Sequence, residues 1–102
     1  MMTDRLHTEL WTSWASMLRS YAAAHGLNST HQAVVEVSAN EITLRVGTQW
    51  LRFTPTEMQR SNEAPTPFAL EENGTVTLNH QPQQEMDMAA EQLARDMLYP
   101  SG

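Results

Sequence analysis

The sequence predicts an α+β fold, a twisted antiparallel sheet of about five strands with the N-terminal and C-terminal helices packed on one face (order α-β-β-β-β-β-α). Apolar residues recur every three or four positions near both ends of the chain and every second position in the middle. The chain has 102 residues, of which 40% are hydrophobic and 18% charged. This length and composition predict one ordered domain over residues 1–102.

The first helix is expected over residues 4 to about 25, with Thr3 or Asp4 as its cap. We expect Gly26 to end it in the left-handed conformation. Trp11 lies off the centre of the apolar stripe, which makes it a candidate surface aromatic. The stripe itself consists of Leu6, Leu10, Trp14, Met17, Leu18 and Tyr21.

Three strands follow, over residues 33–38, 41–46 and 49–54. Ala39-Asn40 forms the first turn, and Gly47-Thr48 suits a type II′ turn because glycine occupies its first central position. This register places six apolar side chains on one side of the sheet, and a slip of one residue would scatter them over both sides. The six are Val35, Val37, Ile42, Leu44, Leu51 and Phe53.

The other side of these strands carries a polar set with one tryptophan. Trp50 is expected directly opposite Arg45, within reach of a cation–π contact, and Glu36 is diagonal to Arg45. Tryptophan is enriched in interface hot spots, and a tryptophan on a polar face indicates a contact surface. The candidate interface residues are Val34, Glu36, Arg45, Trp50 and Arg52.

Residues 55–66 are expected to form a mobile loop, because its prolines and Pro67 remove backbone donors. A hairpin follows, with strands near 67–71 and 75–79 and a three-residue loop, Glu72-Asn73-Gly74, in which Gly74 is left-handed. This hairpin pairs Phe68 with Leu78 and Leu70 with Val76. Either edge of the first three strands could accept it, so the strand order stays open at this stage.

The last helix is expected over residues 82 to about 98, with Pro82 at its first position and Glu85 and Asp87 in or near its first turn. Glu91 and Arg95 form a favourable pair four residues apart. The expected buried stripe is Met86, Ala89, Ala90, Leu93 and Met97.

Charge and composition exclude several classes of partner and chemistry. Six arginines, no lysine and twelve acids give a formal net charge of −6, which opposes nucleic acid and anionic membranes as partners. The absence of cysteine excludes disulfides, cysteine-based zinc sites and cysteine nucleophiles. A polar N-terminus and the lack of a membrane-length apolar stretch predict a cytoplasmic protein.

Motifs for catalysis or cofactor binding are absent from the sequence. It contains no HExxH zinc motif, no GxSxG elbow and no phosphate-binding loop. The four histidines show no metal-ligand spacing, and the acids fall on expected surface positions. We therefore predict no catalytic residue, no cofactor and no metal site.

Two functions remain. The first is a non-enzymatic protein-interaction module that self-associates, as a homodimer, through the outer sheet face centred on Trp50, with edge-strand pairing as a second dimer mode. The alternative is a small-ligand-binding protein or minor enzyme with a pocket between the helices and the sheet. Its lid would be the 55–66 loop, and its polar contacts Tyr21, His25 and His80.

Overall fold

The computed structural model describes residues 4–26 and 33–98. Helix α1 (Asp4–Gly26) comes first, seven strands follow, and helix α2 (Met86–Leu98) comes last. The strands are β1 (Ala33–Val37), β2 (Ile42–Val46), β3 (Gln49–Phe53), β4 (Glu57–Arg60), β5 (Thr66–Leu70), β6 (Thr75–Leu78) and β7 (Gln84–Glu85). The predicted α+β class and helix–sheet–helix order are confirmed, with seven strands where about five were expected.

The seven strands form one antiparallel sheet in chain order, β1 to β7, which curves into a half-barrel. The second hairpin, β5–β6, joins the side away from β1, because β4 carries the chain to that side and pairs with β5. The two edges of the sheet are therefore β1 and the two-residue strand β7.

The register of the first three strands is the predicted one. Val37 lies opposite Ile42 and Val35 opposite Leu44, while Leu44 and Ile42 face Leu51 and Phe53 on the other side. The second hairpin also pairs as predicted, Phe68 with Leu78 and Leu70 with Val76. The alternation of apolar and polar residues decides this register, because any odd shift would turn the apolar side chains away from the core.

Two predicted glycine turns are confirmed, and Gly26 ends α1 as predicted but without the expected left-handed conformation. Gly47 and Gly74 have φ values of 62° and 81°, the left-handed region that glycine enters without steric cost. Thr48 keeps a negative φ, as a type II′ turn requires. Gly26, in contrast, is the last residue of α1 and does not take a positive φ.

Residues 55–66 do not form the continuous loop that their prolines predict. Glu57–Arg60 is strand β4, hydrogen-bonded to β3 on one side and to β5 on the other. Pro55 precedes this strand and Pro65 follows it, so neither removes a donor from it. Met58 faces Phe53 and is buried. A four-residue strand with a single buried apolar residue gives too little alternation to be recognised in the sequence.

Helix α2 begins later than predicted. It starts at Met86 rather than residue 82, because Gln84 and Glu85 pair with β6 as strand β7. Glu85 therefore lies outside the helix, and Asp87 is the acid in its first turn. The predicted stripe packs inward, with Met97 partly buried, and two further residues, Ala94 and Leu98, join it.

The core lies between the concave face of the sheet and the two helices, which also pack against each other. Trp14 is fully buried at its centre, with its ring centroid 5.4 Å from Phe53 and 5.8 Å from Phe68. Trp11 is not a surface aromatic. It is only 4% exposed, and its Nε1 donates a 2.9 Å hydrogen bond to the Ser38 carbonyl, which ties α1 to the end of β1.

Candidate functional site

The face of the sheet away from the helices carries the five predicted interface residues. In β1–β3, the residues that alternate with the buried ones point to this side, and they are exposed or half-buried except Thr43. Val34 is 49% exposed, and Trp50 is half-buried. Val34 lies opposite Arg45, and Arg45 lies opposite Trp50, so these side chains form one row across three strands.

Trp50 receives its cation from its own strand, which corrects the expected contact with Arg45. The Arg52 guanidinium lies over the indole, 4.7 Å from the ring centroid. Residues two apart on a strand share a face, so Arg52 reaches the ring without bending the backbone. Arg45 instead pairs with Glu36, its Nε lying 3.3 Å from Glu36 Oε1. The indole is therefore less open to a partner than the sequence suggests.

Ion pairs satisfy the charges of this outer face within one chain. Besides Glu36–Arg45, Arg52 Nε lies 3.5 Å from Glu41 Oε1, and Glu41 also accepts a hydrogen bond from the buried Thr43 hydroxyl. Both pairs are about half exposed, and such pairs contribute little to stability. Glu41 was not predicted as a site residue, since its position after a turn carries no pattern.

Strand β1 is an open edge of the sheet. Ser38 N donates to Glu41 O at the first turn, and the antiparallel alternation from that pair turns the N–H and C=O of Ala33, Val35 and Val37 outward. Among the described residues, none of these outward groups has a hydrogen-bond partner. Val34 and Val37, 49% and 39% exposed, are two of the three large hydrophobic side chains exposed in the described part of the chain.

The three residues predicted as ligand contacts lie in two different places. Tyr21 and His25 connect α1 to α2: the Tyr21 hydroxyl donates a 2.6 Å hydrogen bond to Asp87 Oδ1, and His25 Nε2 lies 3.4 Å from Glu91 Oε2. His80 is exposed in the turn between β6 and β7, with a φ of 63°. Tyr21 and His25 thus serve helix packing in this structure.

The hydrogen bond to Asp87 raises the pKa of Tyr21 above its ordinary value of 10.0, and burial and the charges of Asp87 and Glu91 act in the same direction. Because the folded chain holds this proton more tightly, the bond contributes stability at and below pH 10. That contribution is lost as the pH rises through the folded pKa.

We therefore expect Asp87→Asn to lower the pKa of Tyr21 towards 10.0. The measurement is a phenolate absorbance titration, with Tyr21→Phe subtracted to isolate this residue. In thermal unfolding at about pH 8, Tyr21→Phe should melt below the native chain, and the difference should shrink in strong alkali. An unchanged Tyr21 titration in Asp87→Asn would contradict the assignment.

A cleft of about 220 Å³ lies between α2 and the sheet. Its apolar wall comes from Met58 of β4, Leu78 of β6 and Leu93 of α2, and Arg60 is a basic residue of the lining. The alternative function expected a pocket between the helices and the sheet, but this cleft is lined by residues other than Tyr21, His25 and His80. Nothing in the sequence marked Arg60, which falls in the segment predicted as a loop.

Within residues 4–26 and 33–98, no group of three or more histidines and acids is placed to hold a metal ion. No helix in those ranges is both long and apolar enough to cross a membrane. Comparison of the chain with protein-family models, with curated proteins and with solved structures finds no match.

Proposed function

We propose that the chain is a small, non-enzymatic, cytoplasmic protein-interaction module that self-associates as a homodimer. Its contact surface is β1 together with the adjoining outer face, which includes Val34, Glu36, Arg45, Trp50 and Arg52. The observation that carries the proposal is the open edge of β1, whose outward backbone groups have no partner among the described residues.

Strand β1 lacks several of the features with which proteins usually protect a sheet edge, although α1 packs against it. Edge strands are commonly short, charged, interrupted by proline or covered. The opposite edge follows this rule, since β7 has two residues and Pro82 lies just before it. Strand β1 has five residues, three of them valine, with Glu36 as the single charge and no proline. An edge of this kind is a template for pairing with another strand.

One register pairs all three outward-facing residues of β1 with the same three residues of a second copy. An antiparallel pair related by a twofold axis through Val35 sets Val35 against Val35, and Ala33 against Val37 of the second copy. In this register every outward N–H and C=O of the strand gains a partner. Shifting the axis to Glu36 would bring two glutamates face to face, and like charges directly opposite each other destabilise a sheet. Pairing at Val35 places Val34 opposite Glu36 of the second copy.

The outer face contributes next to this edge rather than at the centre of the contact. Trp50 is half-buried beneath Arg52, and the ion pairs of Arg45 and Arg52 are complete within one chain. Pairing of β1 with β1 would join the two outer faces into one continuous surface without breaking those contacts. Val34 would be covered, since it lies on the edge strand itself.

Two substitutions at position 34 test this register. Val34→Glu places a second acid opposite Glu36 of the partner, and by symmetry it does so twice, so we expect dimer affinity to fall about tenfold. Val34→Lys places an opposite charge there and should retain the dimer. Within one chain the expected effects on stability are the reverse: position 34 lies opposite Arg45, which favours glutamate there and disfavours lysine. Loss of folding therefore cannot imitate the expected result.

Sedimentation velocity over a range of concentrations is the measurement, with Trp50→Ala as the comparison for the outer face. We expect a dimer for the native chain, Val34→Lys and Trp50→Ala, and a monomer for Val34→Glu at the same concentration. A dimer lost in Trp50→Ala but kept in Val34→Glu would move the contact from the edge to the outer face. A native chain that is monomeric at millimolar concentration would end the proposal of self-association.

A further inference from the structure

We propose that the cleft between α2 and the strands β4 and β6 binds a small aliphatic monocarboxylate through Arg60. Arg60 is the last residue of β4 and lies opposite Leu51, so its position belongs to the concave side of the sheet. The cleft opens where β4 ends, and residues of the following turn form part of its wall. This inference does not depend on self-association.

Arg60 is half-buried, and its side chain has no ion-pair partner among the described residues. Arg5, Arg45, Arg52 and Arg95 each lie within 3.5 Å of a glutamate oxygen. Arg19 has no ion pair but is fully on the surface of α1. Among the described residues, the Arg60 guanidinium makes no ion pair or side-chain hydrogen bond, although Glu63 also lines the cleft. An arginine left free in a concave site offers its planar fork of donors to a carboxylate.

The rest of the cleft suits the apolar part of a short-chain acid. Met58, Leu78 and Leu93 are all buried, at 8%, 9% and 4% exposure, and they form the wall beside Arg60. The volume of about 220 Å³ is below the roughly 300–1,000 Å³ of pockets for drug-sized ligands. A carboxylate with a chain of a few methylene groups fits both the small volume and the apolar wall of the cleft. Burying each methylene group contributes about 0.8 kcal/mol.

The backbone around the cleft is held in unusual conformations. Asn62, in the turn after Arg60, has a φ of 67°, and Asn79 and His80 have φ values of 49° and 63°. The last two occupy the central positions of a turn closed by Gln81 N donating to Leu78 O at 2.9 Å, and Asn79 and Gln81 line the cleft. Asparagine and histidine adopt such conformations more readily than most residues other than glycine, so these turns fix the cleft wall at little cost.

The charge of the surroundings selects a monoanion. Arg60 is the one cationic residue of the lining, Glu63 also lines the cleft, and the whole chain carries a formal charge of −6. A phosphate ester or a dicarboxylate would bring a second negative charge towards Glu63, and like charges in a partly enclosed site repel each other strongly. A single carboxylate is neutralised by Arg60 alone.

Hexanoate is the probe, followed by amide chemical shifts in NMR titrations of the ¹⁵N-labelled chain. We expect saturable shifts around residues 58–66 and 78–81. Acetate, which lacks the apolar chain, and 1-hexanol, which lacks the charge, should bind at least about tenfold more weakly. Inorganic phosphate serves as the test for a general anion site.

Arg60→Gln should weaken hexanoate binding about tenfold or more, since it removes a charge-assisted contact. Arg19→Gln is the matched control, because it removes the same charge from an exposed arginine that has no ion pair among the described residues, and it should leave the affinity unchanged. Glu63→Gln should strengthen binding. Equal hexanoate affinity in Arg60→Gln and the native chain, tighter binding of phosphate than of hexanoate, or no saturable shift at millimolar hexanoate would each overturn the proposal.

Discussion

Trp14→Ala is expected to lower the free energy of unfolding by about 3–5 kcal/mol, a large part of the roughly 5–15 kcal/mol that stabilises a typical domain. Trp14 is fully buried and touches the two phenylalanines that bring the halves of the sheet together, Phe53 from β3 and Phe68 from β5. These two rings lie 5.0 Å apart. Removal of the indole leaves a cavity between α1 and both parts of the sheet, which cannot collapse without moving a strand.

Trp14→Phe separates the effect of the apolar packing of this side chain from the effect of its indole N–H group. Trp14 Nε1 is buried and has no hydrogen-bond partner among the described residues, so the native core already carries an unsatisfied donor. Phenylalanine removes that donor together with part of the ring, and the cost should be clearly smaller than for alanine.

Urea unfolding followed by circular dichroism measures both variants, with Met88→Ala, 66% exposed on α2, as the control. Equal stability of Trp14→Ala and Met88→Ala would contradict the core described above.

Leu44→Ser is expected to destabilise the chain by about 3–5 kcal/mol, while Arg45→Ser at the next residue should cost at most about 1 kcal/mol. Leu44 is fully buried between Val35 and Leu51, so serine there loses the apolar contacts and buries a hydroxyl. Arg45 points to the other face, and its side chain is 59% exposed in its pair with Glu36.

The two variants place the same side chain at neighbouring positions of β2, so the strand propensity of the introduced serine is common to both. Chemical denaturation at one pH gives both free energies, and a common denaturant slope shows that the unfolded states are comparable. Similar losses of unfolding free energy at the two positions would mean that β2 does not have one buried face and one solvent-exposed face.

The strand register is the part of the fold most fully predictable from the sequence. Val35, Leu44 and Leu51 lie where the alternation predicts, because this register keeps them on one side of the sheet together with Val37, Ile42 and Phe53. The turn glycines Gly47 and Gly74 were predictable for a related reason, since few other residues accept their conformation.

Strand β4 and the start of α2 could not be predicted in the same way. Glu57–Arg60 has one buried apolar residue, and its strand conformation comes from hydrogen bonds to β3 and β5, which lie outside any local window. Gln84 and Glu85 form a strand because β6 offers them partners, which overrides the preference of Pro82 for a helix start. The local sequence indicates the intrinsic preference of a segment for helix or strand, whereas these two strands form because neighbouring strands supply hydrogen-bond partners.

The candidate sites also combine features that the sequence predicts with features that depend on the tertiary structure. The polar row of Val34, Arg45 and Trp50 followed from alternation, but the choice of Arg52 over Arg45 as the cation on Trp50 depends on where Glu36 and Glu41 reach. The cleft beside Arg60 exists only because β4, β6 and α2 meet there.

By itself, the sequence determined the fold class, the register of β1–β3 and of the β5–β6 hairpin, and which face of the sheet is dry. Hydrophobic alternation acts through near neighbours and leaves a regular pattern, so these features can be found without coordinates. Only the tertiary structure decided that β1 is an edge strand, that Trp11 is buried and that Arg60 lines a cleft. Each depends on contacts between segments far apart in the chain, and such contacts leave no periodic trace.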